Sequence, residues 1–69
     1  METLSKRLKE LRLENKLTQT KFGKLINVSQ DTISLWEKGK SYPTIEYLYA
    51  ICKEFSVSAD YLLDLDKNN

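Results

Sequence analysis

Thr18-Gln19-Thr20-Lys21-Phe22-Gly23-Lys24-Leu25-Ile26-Asn27-Val28-Ser29-Gln30-Asp31-Thr32-Ile33-Ser34-Leu35-Trp36-Glu37 decides the fold, because its spacing predicts two short helices joined by a three-residue turn. Phe22, Leu25, Ile26, Val28, Ile33 and Trp36 supply an apolar seam, and Gly23 lets two helices approach closely where a side chain would hold them apart. Thr18 and Ser29 are placed to cap the two helices, and Asn27 to end the first in the left-handed conformation. The polar residues left over face outward: Gln19 at the start of the first helix, and Gln30, Asp31, Thr32 and Ser34 along the second. A rigidly held second helix bearing such side chains has the geometry of a helix-turn-helix, whose outward groups suit phosphates and base edges.

Working outward, Leu4, Leu8 and Leu11 form one stripe of an amphipathic first helix, expected to be capped by Thr3 and to end near Asn15 or Lys16. The third helix is expected to run to Lys38 and stop at Gly39. Lys40-Ser41-Tyr42-Pro43 reads as a loop, since Pro43 disfavours a helical Tyr42 and Thr44 offers a new cap. In the fourth helix Ile45, Leu48, Cys52 and Phe55 share the predicted buried face, with Ile51 at its margin and Tyr47 and Tyr49 to either side. Ser58 caps a fifth helix in which Leu62 and Leu63 complete the core, and Asp64 to Asn69 should fray. The expectation is therefore an all-α, five-helix domain over residues 1–66 with a disordered tail at 67–69.

Composition narrows the chemistry. Sixty-nine residues make one domain with a thin stability margin. There is no histidine, and Cys52 is the only cysteine, so a metal site, an internal disulfide and a histidine-based catalytic centre lack their materials. Cys52 reads as a small apolar core group. No cofactor and no enzymatic activity are expected. No apolar run approaches the roughly 20 residues of a membrane span and no signal-peptide core precedes residue 8, so the expected location is the cytoplasm. The net charge of +1 hides a polarity: residues 1–40 hold nine Lys or Arg against five acids, whereas residues 41–69 hold two against five. Such a split orients a molecule towards a polyanion, although ordinary solvated surfaces show it too.

Leu17-Thr18-Gln19, Val28-Ser29-Gln30-Asp31-Thr32-Ile33-Ser34, Trp36-Glu37-Lys38-Gly39-Lys40, Pro43, and Val57-Ser58 ahead of Leu62-Leu63 resemble the phage-repressor and Cro type of helix-turn-helix, also called the xenobiotic-response-element family. The resemblance covers nearly the whole chain and implies a lambda-repressor-like fold, double-stranded DNA as partner, and a bacterial or phage origin. It implies that Gln19 clamps a phosphate and that Gln30, Asp31, Thr32 and Leu35 at the start of the third helix read bases. A glutamine can pair bidentately with adenine, and an aspartate can accept from cytosine N4. Asp31 equally suits the helix dipole with no DNA present. Ser34, Lys38, Lys40, Ser41 and Tyr42 are the further phosphate candidates. The resemblance also implies an ion pair between Arg12 and Glu37 that aims Arg12 at a phosphate; were it exposed, it would add little stability. Trp36 is expected inside. The departures from the family pattern are Asn27, where glycine is usual, and the acidic Asp31.

The function so implied is a sequence-specific transcriptional regulator, a repressor binding a palindromic operator as a homodimer. Tyr61 and Leu65 on the fifth helix, extended by Tyr47 or Tyr49, are the expected dimer seam. A different reading is a protein-interaction module such as an antitoxin, with autoregulatory DNA binding; Leu13, off the Leu4-Leu8-Leu11 stripe, offers that partner a contact. Because little chain follows the fifth helix, either the protein is complete or these residues are the N-terminal domain of a longer repressor.

Overall fold

The computed structural model describes residues 2–65. All regular structure among them is helical: α1 (Glu2–Glu14), α2 (Gln19–Leu25), α3 (Gln30–Lys38), α4 (Ile45–Phe55) and α5 (Ala59–Leu63). Four of the five helices begin at a hydroxyl residue whose side chain accepts from the backbone N–H three positions on: Thr18 from Lys21, Ser29 from Thr32, Thr44 from Tyr47 and Ser58 from Tyr61. Each cap satisfies an N–H that the helix cannot, and contributes about 1 kcal/mol. The first helix differs from expectation at its start: it begins at Glu2, so Thr3 lies inside it. Its end at Glu14, with the Asn15 N–H donating to the Leu11 carbonyl and Lys16 at φ 57°, falls where expected.

Helix ends are set as locally as helix starts. Asn27 at φ 61° and Gly39 at φ 75° take the left-handed conformation that ends α2 and α3, and Ser56 and Asp64 do the same after α4 and α5. Asp64 and Leu65, expected to fray, are tied to the domain: the Leu65 N–H donates to the Asp60 carbonyl, and Asp64 lies 3.6 Å from the Arg7 guanidinium. The expected tail at 67–69 falls outside the described residues.

The core is Leu4, Leu8, Leu11, Phe22, Ile26, Ile33, Trp36, Ile51 and Leu62. α1 lies against α3 and α5, α2 against α3, and α4 against α5. Phe22 stacks on Phe55 at 4.8 Å, tying α2 to α4, and Trp36 meets Tyr47 at 5.8 Å, tying α3 to α4. Two buried faces depart from the periodicity reading. At about 100° per residue, Phe22, Ile26 and Gly23 occupy one arc of α2, and Leu25 falls beyond Phe22, exposed. Gly23 rather than Leu25 takes the inner position because the Val28 carbonyl in the turn approaches too closely for a side chain. On α4 the core centres on Ile51, fully buried, whereas Ile45 is 84% exposed. That helix carries a wider apolar arc than the core covers, leaving Ile45, Leu48, Tyr49 and Cys52 along a groove beside Val57 and Ala59. Leu63, expected in the core, packs only partly buried against it.

Arg7 makes a tie that periodicity does not announce. Its Nη1 donates to the Tyr61 carbonyl at 2.6 Å, and its guanidinium lies over the Tyr61 ring at 4.5 Å. The cation thus sits at the carbonyl end of α5, where the helix dipole favours it. No described helix is long and apolar enough to cross a membrane.

Candidate nucleic-acid interface

The site is built on the exposed start of α3. The Ser29 cap fixes that start, Ile33 and Trp36 turn inward and are buried, and Gln30, Asp31 and Leu35 are left exposed with Thr32 and Ser34 half-buried. Thr32 is drawn into the cap, its hydroxyl 3.0 Å from that of Ser29. Asp31 lies in the first turn of α3, where the helix dipole favours a carboxylate.

Gln19 begins α2 and meets Gln30 across the turn. The Gln30 Nε2 donates to Gln19 Oε1 at 2.6 Å, and the Gln19 Nε2 in turn donates to Glu37 Oε1 at 3.1 Å. Glu37 is held from the other side by Arg12, whose Nε and Nη2 donate to Oε2 and Oε1 at 2.6 and 3.0 Å. A third Arg12 bond, from Nη1 to the Leu17 carbonyl at 2.9 Å, reaches the connection between α1 and α2. One chain of charge-assisted and amide hydrogen bonds therefore runs from inside α1 to the exposed tip of α3.

The expected Arg12–Glu37 ion pair is formed, and it is buried, so the small contribution of an exposed bridge does not apply to it. The two side chains are 11% and 6% exposed, so water screens them little. Hydrogen bonding to Glu37, joined by its charge and opposed by burial, holds Arg12 above its ordinary range. Arg12 is thereby a brace joining α1, the α1–α2 connection and α3.

The phosphate candidates after α3 divide into side chains and main chain. Lys38, Lys40 and Tyr42 are exposed and Ser41 is half-buried. The backbone N–H groups of Lys40 and Ser41 turn back onto the Leu35 carbonyl at 2.9 and 3.4 Å. The loop is thus tied to the recognition helix and presents its side chains outward. Cys52 lies away from this face, half-buried in the α4 groove, and burial pushes its thiol up. Sequence reasoning singled out Gln19 and Gln30 separately but missed their mutual bond and the Gln19–Glu37 bond.

A short α2, a close turn and a second helix with exposed polar groups at its start define a helix-turn-helix protein. The helix-turn-helix family profile matches residues 8–62, and the chain belongs to that family of DNA-binding transcriptional regulators. It is 44% identical over 59 residues to the HTH-type transcriptional activator BcrR of Enterococcus faecalis, covering 86% of this chain and 29% of that protein. Repressor protein C2 of Salmonella phage P22 is 37% identical over 68 residues, covering 96% of this chain and 32% of that one. The chain therefore spans about a third of the length of either relative. The fold is also similar to the crystal structure of the P22 c2 repressor in complex with synthetic operator 9T. The TM-score is 0.80 at 36% identity, with 86% of this chain and 89% of that chain covered.

Proposed function

We propose that the protein reads a specific double-stranded DNA sequence with the start of α3 and represses transcription by occupying a two-fold operator as a dimer. The observation that carries the base-reading role is the Gln19–Gln30 amide pair on an exposed, capped helix start. A glutamine so held offers adenine N6 and N7 a bidentate contact at no further ordering cost. The P22 c2 repressor crystallised with an operator supports the same reading. Asp31, Thr32 and Leu35 are the accompanying base contacts, and Gln19, Ser34, Lys38, Lys40, Ser41 and Tyr42 anchor phosphates. Arg12 can offer a phosphate only the guanidinium N–H groups that Glu37 and the Leu17 carbonyl leave free.

Reading and anchoring are separable by substitution. Gln30→Ala should cost about 1–3 kcal/mol on the operator and blur preference at one base pair. Lys40→Ala should weaken every sequence alike and reduce the salt slope by about 1. Binding to a set of singly substituted operators, across a salt series, measures both. An unaltered base preference in Gln30→Ala would remove that residue from the reading set.

One α3 spans only a few base pairs, which selects poorly against a genome, and a second copy doubles the site. The surface that supports dimerisation is the α4 groove rather than a seam through Tyr61, which lies half-buried beneath Arg7. Ile45 and Tyr49 are 84% and 64% exposed, with Lys53 5.7 Å from the Tyr49 ring. Glu46 and Asp60 in the first turns of α4 and α5, with Lys53, give this part of the chain both signs of charge, which a two-fold interface can pair. Two copies would set their α3 helices about 34 Å apart, on half-sites about 10 base pairs apart. Ile45→Glu should convert two-to-one binding of a symmetric operator into weak one-to-one binding and release a promoter overlapping that operator. Full occupancy and full repression by Ile45→Glu would defeat the dimer reading.

A further inference from the structure

We propose that Glu37 is a positioning residue: acting through Gln19, it sets which way round the Gln30 amide faces DNA, and so selects adenine over guanine. The proposal rests on the base-reading role given to Gln30 above.

The direction of the chain follows from which groups can only donate or only accept. A guanidinium donates and a carboxylate accepts. Arg12 occupies Glu37 from one side, and Glu37 Oε1 can face Gln19 only as an acceptor, so Gln19 must turn its amide nitrogen inward. The Gln19 carbonyl oxygen is then directed at Gln30, which must turn its own nitrogen inward to donate. Gln30 consequently keeps one N–H and its carbonyl oxygen for a partner. One donor beside one acceptor matches adenine N7 and the N6 amino group. The opposite orientation would present both N–H groups of Gln30, which suits the two acceptors N7 and O6 of guanine. A buried carboxylate that touches no base thus fixes a choice between two purines. The donor–acceptor order is dictated by the charged end of the chain, so it does not depend on how either amide oxygen is assigned.

Glu37→Gln makes the order reversible. Its carbonyl oxygen can stay on Arg12 Nε, one of the two 2.6 Å contacts of the chain, at the cost of the Arg12 Nη2 bond, and its NH2 then faces Gln19. Gln19 then presents its carbonyl oxygen inward and its nitrogen to Gln30, and Gln30 turns both N–H groups outward. Gln19→Met is the second variant. Gln19 is half-buried at a helix start, so this change cuts the relay and leaves the Arg12–Glu37 pair standing.

Binding is measured on duplexes that carry A·T or G·C at the base pair whose preference Gln30→Ala alters. In the wild type A·T is favoured; Glu37→Gln and Gln19→Met should each lower the A·T to G·C affinity ratio by about tenfold. A merely structural role would lower both affinities and leave the ratio alone. That result in both variants, with Gln30→Ala still changing the preference, overturns the relay and spares the base-reading role. If Gln30→Ala alters preference at no base pair, the base-reading role itself fails and the relay falls with it. Should Glu37→Gln not fold, the ratio in Gln19→Met decides alone.

Discussion

Gly23→Ala should remove about a third or more of the protein's stability, an effect far out of proportion to one methyl group. The added Cβ would fall on the Val28 carbonyl oxygen, 3.2 Å from its carbon and 3.4 Å from Ile33 Cγ1. The obstacle is backbone, not the end of a flexible side chain, and that backbone is itself pinned. The Val28 N–H donates to the Gly23 carbonyl at 2.8 Å, and the Ile26 N–H donates to the same oxygen at 3.0 Å. Relief requires moving α2 off α3, which opens the seam between Phe22 and Ile33. Overpacking in a core usually costs about 1–3 kcal/mol, and a clash that cannot be relieved by side-chain motion belongs at about 3–5 kcal/mol. A chain of this size holds only about 3–10 kcal/mol in total. Urea denaturation followed by far-ultraviolet circular dichroism measures the loss. A midpoint within experimental error of the wild type would show that the turn is looser than the α2–α3 contact implies.

What the sequence disclosed follows the range of the forces involved. Thr18, Ser29, Thr44 and Ser58 were readable as caps because a hydroxyl acts on an N–H three residues along. Asn27 and Gly39 were readable as stops because the left-handed conformation is a property of the residue itself. Burial was legible only as an arc. Periodicity locates the apolar side of α2 or α4, but not which part of it a neighbour will cover, and so Leu25 and Ile45 were expected inside. Ile51, placed at the margin, is the centre. The site was legible as residue types at the start of a helix. Its internal wiring was not, since the Gln19–Gln30 and Gln19–Glu37 bonds span 11 and 18 residues and exist only once α2 crosses α3. The Arg12–Glu37 pair, 25 residues apart, was reached through family resemblance alone, and its burial was not. Arg7, bonded to a carbonyl 54 residues away, gave no local signal.

Burial of the Arg12–Glu37 pair makes a large penalty the expected result when it is halved. Glu37→Ala would leave a guanidinium about one-tenth exposed with the Leu17 carbonyl as its remaining partner. Removing one member of a buried pair costs about 3–5 kcal/mol, because the surviving charge stays desolvated without compensation. Replacing both members with apolar residues is a different perturbation. Arg12→Met combined with Glu37→Leu removes both desolvation costs together and should recover most of the stability, as buried ion pairs exchanged for packed side chains often do. DNA reading should not recover with it. Gln19 would still have lost the acceptor that orients it, so the double variant should fold well and discriminate poorly. Urea midpoints of Arg12→Met, Glu37→Leu and the double variant complete a mutant cycle for stability, and operator binding by the same proteins supplies one for recognition. A loss below about 1 kcal/mol in Glu37→Ala would place the pair with exposed surface bridges and remove its bracing role.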